Sequence, residues 1–200
     1  MSNKRVNVKN YAIGTESVRI MTRYEISAFA YNFAKCFAEN CCRYRDLCNK
    51  AKDTQEKAGH LLNEMQNSVA CFVFCEICLE AYINTYAGDS HKIPQWKKLE
   101  RKLCLKDKWT EVPQLILNKT FETGKEPYKS LKWLVEKRNF IVHYKGEFNE
   151  PEMNERLGTL TDRIFNQFTL EEAERAFQLV KDMIKSLHRL DNSKVPDWLI

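Results

Sequence analysis

Glycine and proline are scarce, at 6 and 5 residues in a chain of 200. So few breakers exclude a turn-rich β-sandwich, a collagen-like chain and a flexible linker. With abundant Ala, Leu, Glu and Lys they point to long helices. The chain has no G-x-x-x-x-G-K-[ST], no G-x-G-x-x-G, no H-E-x-x-H and no G-x-S-x-G. P-loop, dinucleotide-binding, zincin and serine-hydrolase chemistry therefore lack their signatures. The opening MSNKRVNVKNYAIG has no apolar core, so no secretory signal is read there. The longest apolar run, Val69 to Ile83, is 15 residues and contains Glu76 and Glu80. It is too short and too charged to span a bilayer. A soluble, cytoplasmic chain is expected.

What is present is enough for a core. Hydrophobic residues make up 44% of the chain and charged residues 30%, which excludes global disorder. The net charge of +5 is mildly basic and compatible with nucleic acid. The eight cysteines read as free thiols that pack as small hydrophobes. Cys71, Cys75 and Cys78 share one helical stripe, and Cys36, Cys41, Cys42 and Cys48 lie on the preceding helix. A metal or redox role for them is the rival reading, but only Cys75 and Cys78 have knuckle spacing.

The organisation predicted is an N-terminal arm over residues 1–20 and a single helical domain over 21–200. Helical periodicity runs from Met21 to Lys50, carried by Ile26, Phe29, Ala30, Phe33, Phe37 and Ala38. Phe29, Phe33 and Phe37 read as core or dimer interface. Asp53 and Thr54 are candidate caps for a second helix, Thr54 to Tyr86, whose second half is apolar nearly all round and should be central. Pro94 opens a short basic helix over 95–103. A loop-like stretch with Pro113, Gly124 and Pro127 follows. A strong helix then spans Tyr128 to His143, and Gly146 and Pro151 break the chain. Thr169 with Glu172 resembles a capping box for a last helix ending near Leu190. The fold class expected is all-α, four main helices plus short ones.

At about 100° per residue, Leu131, Leu134, Val135, Ile141 and Val142 form one apolar stripe with Arg138 in its middle. Asn139 and His143 stand one turn apart on the polar flank. An arginine in an apolar stripe is costly unless paired. Two readings follow: a structural pair with a buried carboxylate, or an anion site with His143 beside it. The central helix offers a polar line of Glu76, Glu80 and Asn84. Glu80 is the partner expected for Arg138, with Asn84 in support.

Arg138-Asn139-Phe140-Ile141-Val142-His143, near the end of a late helix and behind a buried Glu-x-x-x-Asn line, resembles the R-x(4–6)-H signature of the HEPN superfamily. The resemblance covers about residues 25–190. It implies a helical bundle, commonly a homodimer with two motifs facing each other, and in many members a metal-independent endoribonuclease of toxin–antitoxin or antiviral systems. Other members are non-catalytic. Carried over, Arg138 and His143 are the catalytic pair and Asn139 the polar support. A subgroup regulated through a tyrosine two places after the histidine has Lys145 at that position here, with Tyr144 directly after His143.

The implied chemistry suits these side chains. Attack of an RNA 2′-OH on the adjacent phosphorus needs a proton acceptor, a proton donor and positive charge at the phosphoryl oxygens. Histidine titrates near neutrality, and arginine offers a fixed fork of donors. No metal or cofactor is needed. Between His91 and Lys108, seven basic residues stand against two acidic ones, with Trp96 and Trp109 at the flanks. Lys97, Lys98, Arg101 and Lys102 there, and Lys137 and Lys145 beside the motif, are candidate RNA contacts. The alternative for the basic run is a solvated helix face over packed tryptophans. His60, His91 and His188 read as surface histidines. The expected partners are RNA, a second copy of the chain, and an antitoxin or other regulatory protein. The rival function is a non-catalytic module binding RNA, nucleotide or protein.

Overall fold

Long unbroken stretches of helix formers set the architecture. A computed structural model of the chain describes residues 11–13, 16–18, 23–89, 93, 95–143 and 151–199. Helix α1 (Arg23–Lys50) and helix α2 (Thr54–Asp89) form a hairpin joined by residues 51–53. Asp53 caps α2, its Oδ1 accepting from the Glu56 N–H at 2.9 Å. Short α3 (Trp96–Glu100) and α4 (Leu105–Leu117) follow, then α5 (Tyr128–Val142). A small hairpin, β3 (Glu152–Asn154) with β4 (Thr159–Thr161), precedes α6 (Ile164–Gln167) and α7 (Leu170–Asp191). A single 3-10 turn, Asp197–Leu199, closes the described chain. The fold is all-α.

Helix α2 is the axis of the molecule and packs against α1, α4, α5 and α7. Its buried face carries Cys71, Phe72, Cys75, Cys78, Leu79, Tyr82 and Ile83, as an all-round apolar sequence demands. By length and composition alone α2 could cross a membrane, yet 56% of its most apolar window is buried among other helices. Cys41, Cys48, Cys71, Cys75 and Cys78 are buried, and Cys36, Cys42 and Cys104 are exposed; all eight are free thiols.

Three expectations need correction. Pro113 lies inside α4 rather than in a loop. The missing N–H removes one helical bond, but Trp109 and Val112 on the same helix are fully buried, and that packing holds the segment. The Thr169 side chain makes no capping bond. Instead Glu64 of α2 accepts the Leu170 N–H at 3.0 Å, so the carboxylate at the start of α7 comes from another helix. The N-terminal arm contains an antiparallel pair, β1 (Tyr11–Ile13) with β2 (Glu16–Val18), that its composition did not suggest.

Candidate functional site

Helix α5 leaves the core as it runs. Leu131 and Leu134 are fully buried, while Val142 at its end is 56% exposed. Arg138 therefore sits at the margin of the core, and its side chain is 39% exposed. Its partner is Glu76, not Glu80: Arg138 Nε lies 2.7 Å from Glu76 Oε2. The offset between α5 and α2 brings Arg138 level with Glu76, one turn before Glu80. Burial raises the Glu76 carboxyl above its ordinary value; Arg138 opposes that shift, and Glu80 adds to it.

Glu80 is occupied elsewhere. It forms a very close ion pair with the Lys108 ammonium of α4 and accepts from Asn84 Nδ2 at 3.3 Å. Lys108 is almost wholly buried, so this bond satisfies a charge that water does not reach. The polar line of α2 thus holds two cations from two helices, Arg138 through Glu76 and Lys108 through Glu80.

Asn139 joins the two ends of the motif. Its Oδ1 accepts from Arg138 Nη1 at 3.1 Å, and its carbonyl accepts the His143 N–H at 2.9 Å. His143 is the exposed C-cap of α5. Arg138 and His143 are five positions apart, about 140° around the axis. The guanidinium faces α2, and the imidazole stands at the open end. Asn139 is half-buried, and the Arg138 side chain keeps 39% of its surface in contact with solvent.

The candidate RNA contacts divide. Lys97, Lys98, Arg101 and Lys102 are exposed, as a basic rim requires. Trp96 and Trp109 are buried, so they do not offer stacking faces beside that rim. Lys137 is not an open cation: its Nζ donates to the Gln167 carbonyl at 3.2 Å, lies 3.6 Å from Glu172 and sits over the Phe168 ring. It ties α5 to α6 and α7. Tyr144 and Lys145 lie outside the described residues, as does His91. His60 is partly exposed, with Nε2 3.7 Å from Glu56.

An apolar face lies along α1 and α2. Ile26, Phe29 and Phe33 of α1 are 37%, 45% and 39% exposed, and Ile77 of α2 is 40% exposed. Phe33 stacks on Phe74 of α2 at 5.1 Å, and Phe29 lies 4.4 Å from Phe33. Of the predicted phenylalanine line, only Phe37 packs against the core. On α2, at about 100° per residue, Ile77 stands between Phe74 and the Glu76–Glu80 edge. The apolar face therefore runs toward the polar edge of α2 and meets Glu80, the partner of Lys108, before Glu76.

Two clusters escaped sequence reasoning. Buried Glu64 accepts from Arg45 of α1 at 2.7 Å and from Arg156 of the β3–β4 turn at 2.6 Å, besides the Leu170 N–H. Arg45 also holds Glu171 at 2.6 Å. Burial alone would raise the Glu64 carboxyl, but the hydrogen bonds from Arg45 and Arg156 hold it below its ordinary value. Those residues are 19, 92 and 106 positions from Glu64, beyond any local pattern. His188, expected at the surface, is buried on α7 between Tyr82 and Ser193. Its place on the apolar side of α7, beside Ile184 and Leu187, was the available signal.

Among the described residues, no group of three His, Cys, Asp or Glu is placed to hold a metal ion. The chain matches no family model, no curated protein and no solved structure.

Proposed function

We propose that the chain is a metal-independent endoribonuclease of the HEPN type, acting as a homodimer in a toxin or antiviral role. The observation that carries this reading is the state of the motif. An exposed His143 follows an Arg138 whose guanidinium is steadied by Glu76 and Asn139 while its side chain stays partly exposed. In this reading His143 moves protons between the 2′-OH, solvent and the 5′-leaving oxygen. Arg138 neutralises the phosphoryl oxygens, and Asn139 orients it. One chain supplies one such histidine, so a second copy supplies the second acid or base. The apolar face of Ile26, Phe29, Phe33 and Ile77 is a surface such a copy can cover. The rim of Lys97, Lys98, Arg101 and Lys102 supports RNA binding through phosphate contacts rather than stacking. The products are a 2′,3′-cyclic phosphate and a 5′-OH.

The second reading, a non-catalytic module that binds RNA, nucleotide or a protein partner, draws support from the Arg138–Glu76 pair, which by itself serves to fasten α5 to α2. One experiment separates the two. Labelled RNA is incubated with the protein in EDTA, with His143→Ala alongside. The nuclease reading expects cleavage with cyclic-phosphate ends, and a loss of about 10²–10⁴ in rate in the variant with the helical circular-dichroism signal kept. Full activity of the variant sinks the assignment. Retained RNA binding with no cleavage by either protein favours the module.

A further inference from the structure

The C-terminal end of α7 and the chain that folds back after it form an open cavity of about 590 Å³, within the size range of small-molecule sites. None of the motif residues lines it. Lys185 and Arg189, one helical turn apart, stand on its rim with Asn192 and Ser193; His188 and Leu199 form its inner wall. Lys185 and Arg189 are exposed and make no ion pair among the described residues. Asp191 acts on His188 in the cavity wall, and Asp197 is held by Lys194 at 2.7 Å.

A helix C-terminus normally repels anions. Here two of its terminal carbonyls are already engaged. The Asn192 and Ser193 N–H groups both donate to the His188 carbonyl, and Lys119 Nζ donates to the Leu190 carbonyl at 3.0 Å. The negative end of α7 is therefore blunted, and two cations stand over it.

The inner wall is rigid. Leu199 is buried, and its carbonyl accepts from the Tyr31 hydroxyl at 3.4 Å. Trp198 packs against Tyr31 and Tyr82, 5.3 and 5.9 Å between ring centres. Ser193 is held as well: its Oγ lies 2.6 Å from His188 Nδ1, and His188 Nε2 makes a very close hydrogen bond with the buried Tyr82 hydroxyl. Burial keeps His188 below its ordinary protonation range, against the pull of Asp191. In the neutral ring, when Tyr82 donates to Nε2, the Nδ1–H donates to Ser193 Oγ. The Ser193 hydroxyl proton is then left to point into the cavity.

We propose that this cavity binds a small phosphomonoester with an apolar body. Lys185 and Arg189 take the dianionic head, with Ser193 and Asn192 as neutral donors, and Leu199 and Val195 receive the body. A phosphate fits better than a carboxylate, because two cations and two neutral donors match a doubly charged head with three terminal oxygens.

The test is calorimetric titration of the whole chain with three probes: phenyl phosphate, inorganic phosphate and phenol. Phenyl phosphate should bind saturably and about tenfold tighter than either fragment, a difference of about 1.4 kcal/mol. The His188 ring ¹⁵N resonances should move during that titration. The doubly substituted Lys185→Ala, Arg189→Ala protein should bind it at least about tenfold more weakly. Both substitutions are at exposed positions, so an unchanged circular-dichroism spectrum confirms the fold. Absent saturation, equal affinity for inorganic phosphate, a silent His188 ring or an unchanged double variant each overturns the proposal. The outcome is independent of RNA cleavage, which is read on a different substrate and through different residues.

Discussion

Glu64 is 1% exposed and accepts hydrogen bonds from two arginines and from the first turn of α7. Removing such a charge strands its partners, and opening a buried pair costs several kcal/mol. Arg45 and Arg156 keep some contact with water, at 19% and 25% side-chain exposure, which softens the loss. Glu64→Gln should destabilise the fold by about 3 kcal/mol, at the lower end of that range, measured by urea unfolding. A change within a few tenths would show that the cluster is decorative. Arg138 teaches the complementary point. An arginine in an apolar stripe announced its need for a carboxylate, and α2 presented two, Glu76 and Glu80, one turn apart. The choice depends on how far α5 slides along α2, and residue types do not encode that slide locally.

Helix existence was legible because period 3.6 needs only neighbours. α1, α2, α5 and α7 appear close to their expected bounds for that reason. α4 was hidden by Pro113, a residue that reads as a break until the burial of Trp109 is known. The β3–β4 hairpin was hidden by its shortness: three-residue strands carry too little alternation to register. Its turn is built by Asn154, whose Oδ1 accepts the N–H groups of Arg156 and Leu157, with Gly158 at φ 65°. The thiols test the helix faces directly. Cys36 and Cys42 lie on the outer side of α1 and Cys104 just before α4, while the other five face the core. A maleimide should label three of the eight thiols quickly in the native chain and all eight in denaturant, counted by mass spectrometry. Rapid native labelling of Cys71, Cys75 or Cys78 would contradict the packing of α2.

On the scale of the molecule, charge and apolar surface govern behaviour. Folded His188 binds a proton less readily than unfolded His188, whose ordinary value is 6.5. The unfolded chain therefore takes up more protons as pH falls below 6.5, and stability declines there. Glu171, held at about 2 by Arg45, and Glu64, also held low, contribute stability that is lost as pH falls below 4.5. Glu76, raised by burial, has the opposite sign, and its cost disappears on acidification. Unfolding midpoints at pH 7, 5.5 and 3.5 should therefore fall in two steps. His188→Gln should remove the first step and keep the second; a first step that survives assigns it to another group. The exposed face of Ile26, Phe29, Phe33 and Ile77 belongs to the same scale. On the homodimer reading, Phe29→Ser with Phe33→Ser should convert a dimer to a monomer in sedimentation velocity and leave the helical signal intact. A wild-type monomer at all concentrations would remove the face from the nuclease mechanism.

The central position of α2 also has a bearing on synthesis. A ribosome completes α1 and α2 well before α5 and α7, the helices that cover the sulfur-rich stripe of the axis. The α1–α2 hairpin needs only a three-residue link, so its contacts are local and form early. Until the last quarter of the chain emerges, Cys71, Cys75 and Cys78 have no helix α7 over them, and Glu64 has neither Arg156 nor the Leu170 N–H. The nascent chain thus carries a half-built core whose thiols are open to oxidants and whose apolar stripe is open to chaperones, a vulnerability that the finished molecule conceals.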